Sequence, residues 1–400
     1  MTQLTFRPNR SRPRSQLRAP GLDWLLMLAV LGLLAFGSVL VWSATAPRDN
    51  LTDGDPTAYL KKQLVNVAIG VVLMVMVLAI DHRWVRILAP LVYLISVVGL
   101  VLVLTMGTTI NGSRSWLMLG SLSIQPSEFA KLAVVIGMAL LVAERLEGRW
   151  QRRVGTVEVI GMLTIAAIPG VLILVQPDLG TMLVLVATVF GVLAIAGASR
   201  LWLLFLIVLG VAGSAIAVAG HVLKPYQIDR FMAFTNPDLD PRGAGYNVEQ
   251  SRIAVGNGGL FGQGLFDGSQ TRSGFVPEQH TDFVFTVAGE ELGLVGAGVL
   301  IALLGVVIWR ALQIARLTDD LFGRVAAAGI ACWFGFQTFQ NVGMCLGIMP
   351  VTGVPLPFVS YGGSSMFAGM LAIGLLQNIH LRSTASIPTR YVVAGRGLGR

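Results

Sequence analysis

The chain has 400 residues, 54% apolar and 12% charged, with 29 Lys and Arg against 21 Asp and Glu, a formal charge of +8. Soluble domains carry about a quarter charged residues, so a mean hydropathy of +0.73 argues against a water-soluble fold and makes spans of about 20 apolar residues the unit to count. No soluble domain is left to present a basic face to nucleic acid, and the two cysteines, Cys332 and Cys345, have no His, Asp or Glu between them to build a zinc site.

The first twenty residues are basic, lack acids, and run into an apolar stretch without a small-residue cleavage site, which predicts a retained cytoplasmic tail over 1–20. Hydropathy then predicts an all-α polytopic membrane protein of about ten spans: Trp24–Ala44, Leu64–Ile80, Ile87–Met106, Pro126–Val142, Val157–Val175, Gly180–Gly197, Leu201–Val222, Phe283–Trp309, Ala326–Cys345 and Ser360–Ile379. Most basic residues, among them Arg83, Arg86, Arg145, Arg200, Arg310, Arg324 and Arg382, fall inside if both termini are cytoplasmic. That orientation leaves a large extracytoplasmic loop, 224–282, between the seventh and eighth spans, glycine-rich from Gly256 to Gly274 and long enough to be functional. The organisation is thus a basic tail over 1–20, a membrane domain over 21–381 and a second basic cytoplasmic tail over 382–400. No internal repeat is evident, which weakens an inverted-repeat transporter.

Polar residues inside spans are costly and mark candidate sites. Gln125-Pro126-Ser127-Glu128 opens the fourth span, and Glu128 and Lys131 share one face, either as a self-neutralising pair or as the lining of a water-filled cleft. Asp178, in a tight turn, suits a cap of the next helix, and Trp116 suits an interfacial anchor. Gln337, Gln340 and Asn341 form a polar helix face expected to bond between helices. Pro355 to Ser365, including Ser364, forbids regular helix at first and then permits a bent entry to the last span. Glu278, His280 and Asp282 crowd the start of the eighth span; Glu278 reads as a loop carboxylate, and Glu290 and Glu291 as inward-facing partners of basic groups.

Six segments in chain order, NGSRSWLMLG, QPSEFAKLA, QPDLGT, PYQIDRFMAF with DPRGAGYNVEQSRIAVGNGGLFGQG, PEQHTDFVFTVAGEELG and PVTGVPLPFVSYGGSS, together resemble the SEDS family of polytopic membrane proteins. GQGLFDGSQ, PEQHTDF and GVPLPFVSYGG are more similar to its RodA-like branch than to its FtsW-like branch; Ser115, where Arg is often found, departs from the pattern. The resemblance implies an inverting peptidoglycan glycosyltransferase in the bacterial plasma membrane. Such an enzyme polymerises lipid II at the outer face onto polyprenyl-linked glycan, working beside a class B penicillin-binding protein within the elongation machinery, or the division machinery if FtsW-like.

For that reaction the family motif points to Asp282 as the catalytic acidic residue. A helix N-terminus there favours the carboxylate, which suits either a weak base or a ligand for a divalent cation, Mg or Mn, bridging the diphosphate; no other cofactor is implied. His280 is the competing base on its intrinsic pKa. Lys131, Arg114 and Arg230 are the candidates for the diphosphate, with Glu128, Trp116, Ser127, Gln125 and Ser364 as further substrate contacts. A lipid II flippase without chemistry and a scaffold for the penicillin-binding protein are the readings from other classes.

Overall fold

The computed structural model describes residues 21–110, 113–119, 122–147, 154–220 and 243–385. The N-terminal tail, Arg230 with the start of the expected long loop, and residues 386–400 lie outside them. Long helices dominate: α1 (Trp24–Thr45), α3 (Ala58–Ala79), α4 (His82–Met106), α5 (Pro126–Leu146), α6 (Thr156–Val175), α7 (Leu179–Ala196) and α8 (Arg200–Ala219) make up the first half. A one-turn helix, α2 (Asp49–Thr52), follows α1. The second half holds α9 (Ala244–Asn257), α10 (Ser269–Ser273), α11 (Val284–Glu291), α12 (Gly293–Leu317), α13 (Leu321–Cys345) and α14 (Gly363–Ala385). The last helix runs past the expected tail boundary at 382.

Seven of these, α1, α3, α4, α6, α7, α12 and α14, are long and apolar enough to cross a membrane. Large apolar side chains such as Leu28, Leu31, Val75, Ile95, Val171 and Leu204 stay exposed on their outer faces, the mark of a surface solvated by lipid rather than water. Polar capping starts the helices where the chain needs it: Asp23 accepts from the Leu26 N–H, Asp178 from the Thr181 N–H and Asp320 from the Gly323 N–H. Asp23 also pairs with Arg310 at 2.6 Å, tying the start of α1 to α12.

The expected eighth span, Phe283–Trp309, is two helices and not one. The break falls at Gly293, whose φ of +67° favours glycine and where an added Cβ would lie 2.3 Å from the Gly262 nitrogen, so the loop backbone presses into the joint. The first-turn N–H groups of Leu294 and Val295 then donate to the carbonyls of Gly259 and Leu260. All of α11 is buried, held at the rim of the bundle beneath α9 and α10.

One small sheet interrupts the helical pattern: β1 (Thr108–Ile110), β2 (Ser113–Leu119) and β3 (Leu122–Ile124) form an antiparallel meander, with Thr108 opposite Trp116 and Leu117 opposite Ile124. The sequence carries a sign of it, because Asn-Gly between two β-prone runs is a strong hairpin dipeptide.

Candidate functional site

A cavity of about 200 Å³ opens where five segments meet at one end of the bundle. Strand β2 contributes Ser113, Ser115 and Trp116, and Gln125 stands before α5. The turn into α7 adds Asp178, and the loop before α11 adds Glu278, Thr281 and Asp282. The far wall is the irregular stretch after α13, with Thr352, Gly353, Pro355 and Tyr361, together with Ser364 at the head of α14. Every charged side chain among these described lining residues is an acid.

Asp282 is half-buried, one residue before the N-cap position of α11. Its backbone is fixed on both sides: the N–H donates to the Glu278 carbonyl at 3.0 Å, and the carbonyl accepts from Asn341 Nδ2 at 2.7 Å. Gly353 has a φ of +68°, and a Cβ built there would stand 3.2 Å from Asp282 Oδ2, so the carboxylate lies against bare backbone. Opposite, Asp178 is committed as a cap: its oxygens accept from the Thr181 N–H and hydroxyl, and from Gln125 Nε2 at 3.2 Å. The Gln125 N–H donates in turn to Ser364 Oγ at 2.8 Å, joining α5 to α14 at the cavity edge.

Three amides of α13 hold the far wall. Gln337 Nε2 donates to the Pro355 carbonyl, Gln340 Nε2 to the Pro350 carbonyl and Thr352 Oγ1, and Asn341 Nδ2 to the Val354 carbonyl. The expectation that these amides bond from helix to helix holds for Gln337, whose Oε1 accepts from Lys131 Nζ of α5, and is corrected for Gln340 and Asn341, which bond to irregular segments instead. The backbone of 350–355 carries no helix or strand of its own, so its carbonyls need donors and the amides supply them.

The other expected residues divide sharply. Trp116, Gln125, Ser364 and Asp282 face one cavity. Lys131 and Glu128 do not line it: Lys131 is fully buried, its Nζ donating to Glu128 Oε1 and Gln337 Oε1, each at 2.8 Å, with the Trp333 ring centroid 5.2 Å away. Ser127 is buried beside them, away from the lining. Arg114 is exposed, and its guanidinium is spent on the carbonyls of Gly107 and Thr105 at the end of α4. Arg230 lies outside the described residues.

His280 is buried behind the lining between the rings of Tyr59 and Tyr361, with centroids 5.0 and 5.7 Å away. Burial pushes its imidazole down to about 4, with the nearby Glu278 opposing and Arg48 adding to the effect, so it is neutral near pH 7 and a weaker base than an ordinary histidine. Among the described residues Glu290 and Glu291 bond to hydroxyl and backbone N–H groups and have no basic partner, contrary to the sequence expectation. Glu290 accepts from the backbone N–H groups of Gln270 and Thr271 and from both hydroxyls of Ser269 and Thr271, because the N-terminus of α10 points free N–H groups at it. Glu291 accepts from Ser43 Oγ at 2.7 Å.

The family model described as "Cell cycle protein", which spans FtsW, RodA and SpoVE, matches residues 23–385. The chain belongs to this family. It is 37% identical over 360 residues to the peptidoglycan glycosyltransferase MrdB of Escherichia coli, covering 90% of this chain and 93% of that one. It is equally 37% identical over 379 residues to a probable peptidoglycan glycosyltransferase FtsW of Allochromatium vinosum, covering 93% of each. Among solved structures it is similar to a chain of a peptidoglycan synthase complex that coordinates polymerization and crosslinking, with a TM-score of 0.74, 32% identity, and 90% and 98% of the two chains covered. The fold is that of a multi-pass membrane protein, and the cavity's walls coincide with the sequence segments that carry the resemblance.

The sequence reading did not single out Glu278, Thr281, Thr352, Gly353 or Tyr361 as cavity-lining residues. A signal existed in the two segments PEQHTDF and PVTGVPLPFVSYGG, where irregular backbone meets apolar helix and must be buried in protein or face water.

Proposed function

We propose that this protein is an inverting peptidoglycan glycosyltransferase that polymerises lipid II at the outer face of the bacterial plasma membrane and releases polyprenyl diphosphate. The observation that carries this reading is a carboxylate-bearing polar cavity at one end of a lipid-facing bundle, which fits a substrate with sugars in water and a polyprenyl tail in the membrane. An acceptor 4-hydroxyl attacks the anomeric carbon of the donor, the bond to the diphosphate breaks with inversion, and Asp282 takes the hydroxyl proton.

Supporting the sidedness, Arg83, Arg86, Arg145, Arg200, Arg310, Arg324 and Arg382 stand at or near helix ends remote from the cavity, as ten spans with cytoplasmic termini and a positive-inside bias require. The diphosphate needs positive charge, and the described lining supplies acids and hydroxyls. The described residues contain no group of three or more His, Cys, Asp or Glu able to hold a metal ion by themselves. A divalent cation, Mg or Mn, if bound, would be held by Asp282 and would supply positive charge against the leaving diphosphate.

The RodA-like motifs favour elongation and cell shape over division, and the likeness to a synthase complex supports a class B penicillin-binding protein as partner. Against a flippase stands the packing behind the cavity: Trp333, Gln337, Lys131 and Glu128 are all buried there and bonded to one another. The test is polymerisation of lipid II by the purified protein in detergent, with and without partner and divalent metal. Glycan strands from wild type and none from Asp282→Ala are expected; lipid II transfer across vesicles with no strands formed would overturn the enzyme reading.

A further inference from the structure

The two walls nearest Asp282, residues 278–282 and 352–355, belong to segments far apart in sequence, and a single side chain bonds to the backbone of both. Asn341 is fully buried at the end of α13. Its Nδ2 has two hydrogens, and both are used at short range: 2.7 Å to the Asp282 carbonyl and 2.7 Å to the Val354 carbonyl. Its Oδ1 is buried with no hydrogen-bond partner among the described residues, so this amide is retained for its donors at the cost of an unmatched acceptor.

We infer that Asn341 is a positioning residue for the reaction: by holding the backbone of Asp282 to that of Val354, it sets where the Asp282 carboxylate stands against Gly353. The inference rests on the role proposed above for Asp282.

The geometry demands this residue type. Leucine has the same count and branching of side-chain heavy atoms but no donor, and would leave two buried carbonyls unmatched. Aspartate would set an acceptor against two acceptors. Its neighbours on the same helix do different work: Gln340 and Gln337 donate to the 350–355 segment, and of the three amides Asn341 is the one that reaches across to the residue that carries the reacting carboxylate. Removing it lets the two walls separate while leaving the lining groups in place. Displacement of a reacting group by about 1 Å costs about 100-fold in rate.

Asn341→Leu, which deletes both donors, and Asn341→Ser, which can hold at most one carbonyl, are compared with wild type and Asp282→Ala in the lipid II polymerisation assay, with each protein first shown to be monodisperse and folded by its thermal transition. The expected result is a kcat lowered about 100-fold in Asn341→Leu and less in Asn341→Ser, with KM for lipid II within about threefold of wild type, because positioning acts in the transition state and not in binding. A merely structural role would lower the melting temperature and the active fraction, which depresses apparent kcat but leaves the single-turnover rate constant at excess enzyme unchanged; a positioning role lowers that rate constant too. Either folded variant with wild-type kcat overturns the inference, as does a raised KM at unchanged kcat. Full activity of Asp282→Ala would overturn the role of Asp282 itself; a dead Asp282→Ala beside a fully active Asn341→Leu would overturn only the role of Asn341.

Discussion

The ion pair at Lys131 and the cavity at Asp282 lie on either side of the Pro355 segment, yet they treat charge in opposite ways. Lys131 is enclosed by Glu128, Gln337 and the Trp333 ring, and Gln337 passes the connection on to the Pro355 carbonyl. Asp282 is held through its backbone in the bonds described above, and its side chain stands at a cavity wall. A charge whose side chain is enclosed by bonded neighbours holds other parts in place; a charge whose backbone is held and whose side chain meets a cavity is set to receive a ligand. Distance from the membrane rim in sequence does not separate the two cases, and burial with partner identity does.

The largest effect that tests this contrast is at the open site. Asp282→Ala is expected to lower polymerisation by about 10²–10⁴-fold, the usual contribution of a general base, with little change in thermal stability. A variant that is stable and fully active would place Asp282 with the structural charges. At the enclosed site the expectation reverses. Lys131→Met leaves Glu128 buried without its cation and should cost about 3–5 kcal/mol of stability, whereas Lys131→Met combined with Glu128→Leu should cost less than the single change. Thermal unfolding in detergent reads both, and a double variant worse than the single would contradict the pairing.

A third test uses Glu291, which sits at the rim before α12 begins. Burial raises its carboxyl from about 4.5 to about 7, against the opposing bonds from Ser43 and the Phe266 N–H and with help from the neighbouring charges of Glu290 and Asp267. The folded state therefore holds its proton more tightly than the unfolded chain. The resulting stabilisation is complete below pH about 4.5, declines as the pH rises and is gone above about 7. The melting temperature of wild type should fall from pH 5 to pH 8 more steeply than that of Glu291→Gln; equal slopes would contradict the assignment. The smallest effect is expected at Arg114. Its bonds to two carbonyls are exposed, so Arg114→Ala should shift stability by no more than about 1 kcal/mol and leave the polymerisation rate within about threefold. A large loss of activity would instead show that the guanidinium swings to substrate.

The long helices were legible because an apolar run of about 20 residues has few other fates. The joint at Gly293 was hidden because Phe283–Trp309 reads as one apolar run, and only the loop backbone pressing on Gly293 shows why it must break. The short β meander lay between two spans, where a hydropathy window averages over a strand of seven residues or fewer. Spacing put Gln337, Gln340 and Asn341 on one face correctly, but spacing names no partner, and the carbonyls they serve come from a segment about ten to twenty residues further along and, for Asn341, from Asp282 as well. Lys131 and Glu128 were paired in the sequence reading, and the structure pairs them; whether the pair opened to a cleft depended on Trp333, Gln337 and the packing of α13, none of which a single helix pattern reveals.

The hydroxyl of Ser43 carries an implication for the order in which the chain assembles. It donates to Glu291 and accepts from the Phe266 N–H, joining residues 248 and 223 positions away near the end of α1. Contacts so remote form late, because the intervening chain must first be made and its ends brought together. The segment from 243 to 282 therefore stays undocked until α11 emerges, although α1 is among the first helices made. Chains halted before Glu291 should remain open to protease within this segment while the earlier helices are already protected, and early resistance there would show a docking route independent of Ser43.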